Sequence, residues 1–144
     1  MSDNLSITKE ALSATEEQLI AQAIASIDMA YAPYSQFHVG AALLDENGQL
    51  HCGVNVENAA YPQGSCAEAG AIARMVQQGG RKITKIAVAG RGDILCTPCG
   101  GCRQRIREFA AADTEILICN ESGLQARTTL EALLPHSFGP DNLV

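Results

Sequence analysis

The apolar positions near the start of the chain keep the spacing of one helix face. They recur three or four residues apart, at Leu19, Ile20, Ala23, Ile24, Ile27 and Ala30. This pattern predicts a helix that begins at Thr15, where Thr15-Glu16-Glu17-Gln18 has the form of a capping box, and that ends before Pro33. The polar residues 1–14 are predicted to form a flexible N-terminus.

Strand-like and helical segments alternate along the rest of the chain. Asn47-Gly48 predicts a tight hairpin turn between two strands, and residues 55–65 lack any periodicity and predict a loop. The predicted strands are 39–44, 50–54, 83–89 and 115–119, with a possible short edge strand at 125–128. The predicted later helices are 67–77, 99–109 and a last short helix whose capping box is Thr128 with Glu131.

This order of elements predicts an α/β fold. The first two strands are expected to pair as an antiparallel hairpin, and the later strands, which alternate with helices, are expected to pair in parallel. The expected architecture is a three-layer α/β/α sandwich with a mixed sheet of about five strands. At 144 residues, 47% of them hydrophobic, the chain can bury a core, and residues 15–144 are expected to form a single domain.

The charge balance argues against several partners. The net charge of −6 disfavours binding to a nucleic acid polymer, and the basic group Arg103, Arg105 and Arg107 is predicted to be an ordinary exposed helix face. No apolar run approaches the roughly 18 residues of a membrane span. The first ten residues lack the basic start and apolar stretch of a signal peptide, so a cytoplasmic, reducing location is expected.

Three of the six cysteines have the spacing of metal ligands. Cys66 directly precedes one predicted helix, and Cys99 opens another, on which Cys102 shares its face. Helix N-termini stabilise thiolates through free N–H groups and the helix dipole. Three protein ligands leave the fourth position of a tetrahedral zinc ion open, as in catalytic sites. Glu68, in the first turn of its helix, is placed to carry protons beside that open position.

Two other interpretations of the cysteines remain open from the residues alone. Cys96 extends the Cys-x-x-Cys spacing and could complete a closed structural site of four cysteines, although such a site rarely needs a neighbouring carboxylate. Cys99 and Cys102 could form a redox pair, which would leave Cys66 and Glu68 unexplained.

The Cys-x-Glu…Pro-Cys-x-x-Cys layout is the three-cysteine form of the zinc deaminase signature. With this layout in view, the chain resembles the small homotetrameric cytidine deaminases over nearly its whole length. The matching blocks are residues 32–43 (APYSQFHVGAAL), 53–64 (GVNVENAAYPQG), 66–68 (CAE), 98–104 (PCGGCRQ) and 133–140 (LLPHSFGP).

The resemblance implies an activity and a cofactor. The implied reaction is hydrolysis of cytidine and 2′-deoxycytidine to uridine and 2′-deoxyuridine plus ammonia, with a role in pyrimidine salvage. One Zn²⁺ per subunit would be held by Cys66, Cys99 and Cys102, and Glu68 would be the catalytic proton carrier. The assembly implied is a homotetramer whose sites are shared between subunits.

The resemblance also implies contacts to the nucleoside. Asn55 and Glu57 would hydrogen-bond the ribose 3′-hydroxyl. The remaining implied contacts are a backbone contact to the base from Ala67, packing on the base by Phe37, an intersubunit edge at Tyr61, and a pyrimidine contact from the neighbouring subunit by Phe138. Taken alone, Asn55 and Glu57 equally fit turn chemistry, and the two phenylalanines fit core packing.

One position departs from the family pattern. Many relatives carry Arg directly after the catalytic Glu, whereas Ala69 follows Glu68 here. An Arg at that place offsets the negative charge of the metal thiolates. We expect Arg103, Gln104, Arg74 and the two helix dipoles to share this task.

Two alternative functions remain open. The first is a deaminase of a modified aminopyrimidine nucleoside such as blasticidin S, against which Asn55 and Glu57 argue because they suit an ordinary ribose. The second is a non-catalytic, zinc-stabilised interaction module.

Overall fold

A computed structural model describes residues 12–144. Its helices are α1 (Ala14–Ser26), α2 (Ala67–Gln77), α3 (Gly100–Phe109) and α4 (Leu130–Leu133). Its strands are β1 (Gly40–Asp45), β2 (Leu50–Val54), β3 (Ile83–Ala89), β4 (Glu115–Asn120) and β5 (Gly123–Thr129). Short 3₁₀ turns occur at Ile27–Met29, Tyr61–Gln63 and Pro140–Leu143.

The five strands form one mixed sheet in the order β2-β1-β3-β4-β5. Strands β3 and β4 are parallel, and every other neighbouring pair is antiparallel. The predicted α/β fold with a mixed sheet of about five strands is therefore confirmed. The edge strand is longer than the predicted 125–128, since β5 pairs with β4 from Gly123 to Thr129. Because Gln125 and Arg127 are polar, the hydrophobic pattern of the sequence does not indicate the full length of this strand.

Alternate residues of the central strands pack on opposite faces of the sheet. Ile86 and Val88 of β3 belong to the apolar cluster that includes residues of α2 and α3, whereas Ala87 and Ala89 belong to the cluster under α1. The sheet is thus covered by α1 on one face and by α2, α3 and α4 on the other. This is the expected three-layer sandwich.

A glycine in β2 lets α2 lie directly on the hairpin. A Cβ atom at Gly53 would come within 2.3 Å of both the carbonyl oxygen of Ala67 and the amide nitrogen of Ala71. Contacts this short are not tolerated, so any larger residue would push the first turn of α2 away from the sheet. That turn carries Glu68 and follows Cys66, so the close approach sets the position of the candidate site.

Two predicted helix starts differ from the structure. Helix α1 is capped by Ser13, whose hydroxyl accepts from the Glu16 amide at 3.1 Å while the Ser13 amide donates to the Glu16 carboxylate at 3.0 Å. The capping box predicted at Thr15 is therefore wrong, and the helix begins at Ala14. Of the N-terminus predicted to be flexible, residues 1–11 lie outside the described residues.

The cap of helix α4 also differs from the prediction, since it lies one residue later. Thr129, the last residue of strand β5, accepts from the Ala132 amide at 3.2 Å, and Thr128 lies one residue earlier within the strand. Pairing with β4 extends strand β5 as far as the cap residue Thr129, and the local sequence does not contain this pairing information.

Candidate active site

The N-termini of α2 and α3 meet at a cluster of three cysteines. Cys66 is the N-cap residue of α2, Cys99 is the N-cap residue of α3, and Cys102 lies in the first turn of α3. Their three sulfur atoms lie within 4.8 Å of one another. The predicted metal-ligand group is therefore assembled in space, with Cys102 buried, Cys66 half-buried and Cys99 exposed.

The spacing of the sulfur atoms fits a zinc ion. Two thiolates bound to tetrahedral Zn²⁺ at about 2.3 Å each are about 3.8 Å apart. Sγ of Cys66 and Sγ of Cys99 are 3.8 Å apart, far beyond the roughly 2.05 Å of a disulfide bond. Cys96 is not part of this cluster, so among the described residues the group offers three ligands and leaves a fourth position open.

The free thiols of the cluster differ in acidity. Burial raises the pKa of Cys66 and of Cys102. Burial acts in the same direction on Cys99, but hydrogen bonds from the Cys102 backbone and from the two neighbouring thiols outweigh it and lower the pKa of Cys99. Because metals bind the thiolate form, binding of zinc must release the protons of Cys66 and Cys102.

Glu68 lies beside the cluster and is almost completely buried. The residue is 4% exposed, and burial raises the pKa of its carboxyl. A cavity of about 200 Å³ is lined by Phe37, Val39, Asn55, Cys66, Ala67, Glu68, Cys96, Thr97 and Cys99. The carboxyl and two of the ligand cysteines therefore line the same small space, as acid–base chemistry at a metal requires.

Asn55 has a structural task at the wall of this cavity. Its Oδ1 accepts from the Val39 amide at 2.9 Å, and its Nδ2 donates to the Phe37 carbonyl at 2.8 Å. One amide hydrogen of Nδ2 is left over after these contacts. The side chain thus holds residues 37–39 against the cavity and keeps one donor for a ligand.

Glu57 lines a neighbouring depression rather than the cysteine cavity. This depression, of about 360 Å³, is lined by Tyr34, Ser35, Glu57, Asn58, Tyr61 and Gly64. The Glu57 carboxylate accepts from the Ser35 hydroxyl and from the Tyr34 amide at 2.9 Å. The hydrogen bond from Ser35 lowers the pKa of Glu57 and keeps it ionised.

Phe138 does not line the cavity of its own chain. It is 58% exposed, and its carbonyl accepts from Nε2 of Gln104 on α3 at 2.9 Å. Arg107 on the same helix donates to the Ser137 hydroxyl at 3.0 Å. Arg103 donates to the Leu133 carbonyl at 2.9 Å. The prediction of an ordinary exposed basic face is therefore wrong for Arg103 and Arg107, which bind the C-terminal segment.

Several residues of the site were not among the predicted ones. They are Val39, Cys96 and Thr97 in the cysteine cavity, and Tyr34, Ser35, Asn58 and Gly64 in the neighbouring depression. Most of them lie inside the two long sequence blocks 32–43 and 53–64, and their location in these blocks is the signal that could have identified them as site residues. A larger groove of about 710 Å³ between the start of β3 and the end of α3 lies away from the cluster.

The sequence matches a known protein family. The match is to the cytidine and deoxycytidylate deaminase zinc-binding region and extends over residues 13–118. The chain is 40% identical over 127 residues to the cytidine deaminase of Sporosarcina psychrophila, covering 88% of this chain and 93% of that protein. It is 41% identical over 115 residues to the cytidine deaminase of Mycobacterium tuberculosis, covering 79% and 82% of the two chains.

The fold is also similar to that of a solved structure. The crystal structure of cytidine deaminase from Burkholderia pseudomallei superposes with a TM-score of 0.80 at 38% identity. The superposition covers 88% of this chain and 100% of that chain.

Proposed function

The chain belongs to the cytidine deaminase family, and on this premise we propose that residues 15–144 form one catalytic domain that hydrolyses cytidine and 2′-deoxycytidine to uridine and 2′-deoxyuridine. The observation that carries the proposal is the group of three sulfur atoms with the buried Glu68 beside it. A purely structural zinc module has no need for a buried carboxyl in an open cavity. The comparisons support a cytidine deaminase over a blasticidin-type enzyme or a non-catalytic module.

The residues divide the chemistry between them. Cys66, Cys99 and Cys102 would hold zinc, which supplies a Lewis acid with one open coordination position and so makes water acidic near neutral pH. Glu68 accepts a proton as a water oxygen adds to C4 of the pyrimidine, and gives a proton to N3. It then carries the proton of the new C4 hydroxyl to the amino group, the C4–N bond breaks as the C4 carbonyl forms, and ammonia leaves. Uridine and ammonia account for all atoms of cytidine and water.

The nucleoside is proposed to lie across the two neighbouring depressions. Phe37 and the Ala67 backbone line the cysteine cavity, where the pyrimidine would bind. The remaining Nδ2 hydrogen of Asn55 and the ionised Glu57 provide a donor and an acceptor for the ribose 3′-hydroxyl. Both side chains are held by hydrogen bonds to their own chain, which positions them before the substrate arrives.

A direct assay tests the proposal. Purified, zinc-loaded protein is expected to convert cytidine to uridine, measured by chromatography, with equimolar release of ammonia. Adenosine is the matched negative substrate, since it has the same ribose and a larger aminopurine. A folded, zinc-loaded protein that forms no uridine from cytidine would contradict the proposed function.

We further propose a homotetramer whose active sites are shared between subunits. Aromatic residues stay exposed at the two depressions, with Phe37 48% and Tyr61 76% exposed, and Phe138, which lines neither depression, is 58% exposed. Such apolar patches mark interaction surfaces. The cysteine cavity of about 200 Å³ is also smaller than the roughly 300–1,000 Å³ of typical ligand pockets. A neighbouring subunit would complete its walls.

Complementation tests this sharing. Glu68→Gln and Phe138→Ala are each expected to be impaired alone, because one lacks the proton carrier and the other lacks the aromatic contact. In a co-expressed mixture some sites combine an intact Glu68 with an intact Phe138, so kcat/KM is expected to rise above that of either variant. A fully active monomer in sedimentation analysis would contradict the shared site.

We propose that the reaction serves pyrimidine salvage in the cytoplasm. The cysteines of the described residues are all free thiols, which fits a reducing compartment. Among residues 12–144 no helix is long and apolar enough to cross a membrane. Recovery of the protein in a membrane or extracellular fraction of its host cells would contradict this placement.

A further inference from the structure

The cysteine site would carry a net negative charge when it binds zinc. Three neutral thiols that bind Zn²⁺ and release their protons become a complex with a formal charge of −1. The buried Glu68 adds a second negative charge whenever it is ionised. A cation close to a ligand sulfur would stabilise the bound state and draw electron density from the metal. Ala69, the residue after Glu68, cannot supply one.

Arg105 brings a cation to the most deeply buried ligand. Its Nη1 donates to Sγ of Cys102 at 3.6 Å, and Cys102 is 0% exposed. The two residues are three apart on α3, so their side chains lie on the same helix face. The guanidinium is a cation, and this contact is therefore a charge-assisted hydrogen bond.

The backbone beside Cys102 leaves room for this contact. A Cβ atom at Gly101 would come within 3.2 Å of Nη1 of Arg105. A side chain there would be in tight contact with the guanidinium, which would have to shift by a few tenths of an ångström. Glycine at this position leaves the guanidinium unhindered on this side of the first turn of α3.

The other polar groups that we expected to balance the thiolates are used elsewhere. Arg103 donates to the Pro98 carbonyl at 2.7 Å and to Leu133, and Gln104 donates to the Phe138 carbonyl. Arg74 is exposed in the last turn of α2, at the opposite end of that helix from Cys66. Within residues 12–144, Arg105 is the cation that makes a hydrogen bond to a ligand sulfur.

We propose that Arg105 is a positioning residue of the zinc site, which balances the thiolate charge from α3 where Ala69 leaves the start of α2 without a cation. The inference rests on the proposed zinc-dependent function. Through Cys102, Arg105 strengthens zinc binding and keeps the metal a stronger Lewis acid than three unassisted thiolates would.

The test compares variants that remove one positive charge at two places. Arg105→Met keeps the length of the side chain and removes the charge, and Arg91→Met makes the same change at an arginine that pairs with Asp28. Zinc affinity is measured by competition with a chromophoric chelator at pH 7. Arg105→Met is expected to bind zinc about 10–100-fold more weakly than Arg91→Met, the range typical of partners of metal ligands. Arg105→Lys is expected to lie closer to the wild type.

A spectroscopic measurement separates this role from a general structural one. In the Co²⁺-loaded protein, loss of an N–H···S contact is expected to move the thiolate-to-cobalt charge-transfer band to longer wavelength in Arg105→Met and not in Arg91→Met. Equal zinc affinity of the two variants, or an unmoved band, would overturn the inference. Those results leave the proposed function intact as long as the wild type binds zinc and forms uridine.

Discussion

Glu68→Gln is expected to lower kcat/KM for cytidine by about 10²–10⁴-fold, the usual contribution of a general acid–base group. Glutamine has nearly the same shape, but its amide neither accepts nor releases a proton near neutral pH. Glu68 is 4% exposed and lines the cavity with Cys66 and Cys99. The variant should therefore fold and retain its zinc while it loses the proton transfers.

The control for this variant is Glu131→Gln. Glu131 also lies in the first turn of a helix, α4, but it is exposed. Both variants remove one carboxylate from a helix start, so a shared loss of helix stability would appear in each. Zinc content is measured by atomic absorption alongside steady-state kinetics. Full activity in a zinc-loaded Glu68→Gln protein would exclude Glu68 as the proton carrier.

The core of the site could be predicted because its determinants are local in sequence. Cys66 and Glu68 flank one helix start, and Cys99 and Cys102 flank another. Their spacing within each helix sets which face they share, so only the meeting of the two helix starts is tertiary information. The close packing at Gly53, which seats α2 on the hairpin, is part of that tertiary information.

The remaining details depend on contacts between distant segments. The sequence does not show that the Asn55 side chain binds the backbone on both sides of His38, because these contacts join residues that are 16 and 18 positions apart in the chain. Similarly, Arg103 is adjacent to Cys102 in sequence, yet its guanidinium donates to the carbonyl oxygens of Pro98 and Leu133 and makes no hydrogen bond to a ligand sulfur in the described residues. A helix turns by about 100° per residue, so adjacency in sequence places neighbouring side chains on different faces.

The exposure of the aromatic residues is another property that the sequence alone does not predict. Phe37 and Phe138 alone would suggest core packing, but both are about half exposed in the described chain. A sequence pattern reports that a residue is apolar and does not report whether its own chain or another covers it. Exposure of these rings is the physical reason to look for a neighbouring subunit at the site.

Two cysteine variants distinguish an open metal site from a closed one. Cys99→Ala is expected to weaken zinc binding by about 10²–10³-fold, because structural sites bind Zn²⁺ with about 10–16 kcal/mol over four ligands and one thiolate accounts for about 2.5–4 kcal/mol. Cys99 is exposed, so its loss leaves no cavity in the core. Uridine formation at limiting zinc should fall with the zinc content.

Cys96→Ala is the matched variant, and we expect it to keep its zinc. Cys96 lines the same cavity but lies outside the group of three sulfur atoms. Metal content and chelator competition are measured on both variants to compare their zinc affinities. If Cys96→Ala released zinc as readily as Cys99→Ala, four thiolates would enclose the metal and no position would remain for the water that the reaction consumes. Retention of zinc by Cys96→Ala alone leaves that position open beside Glu68, where the proposed chemistry needs it.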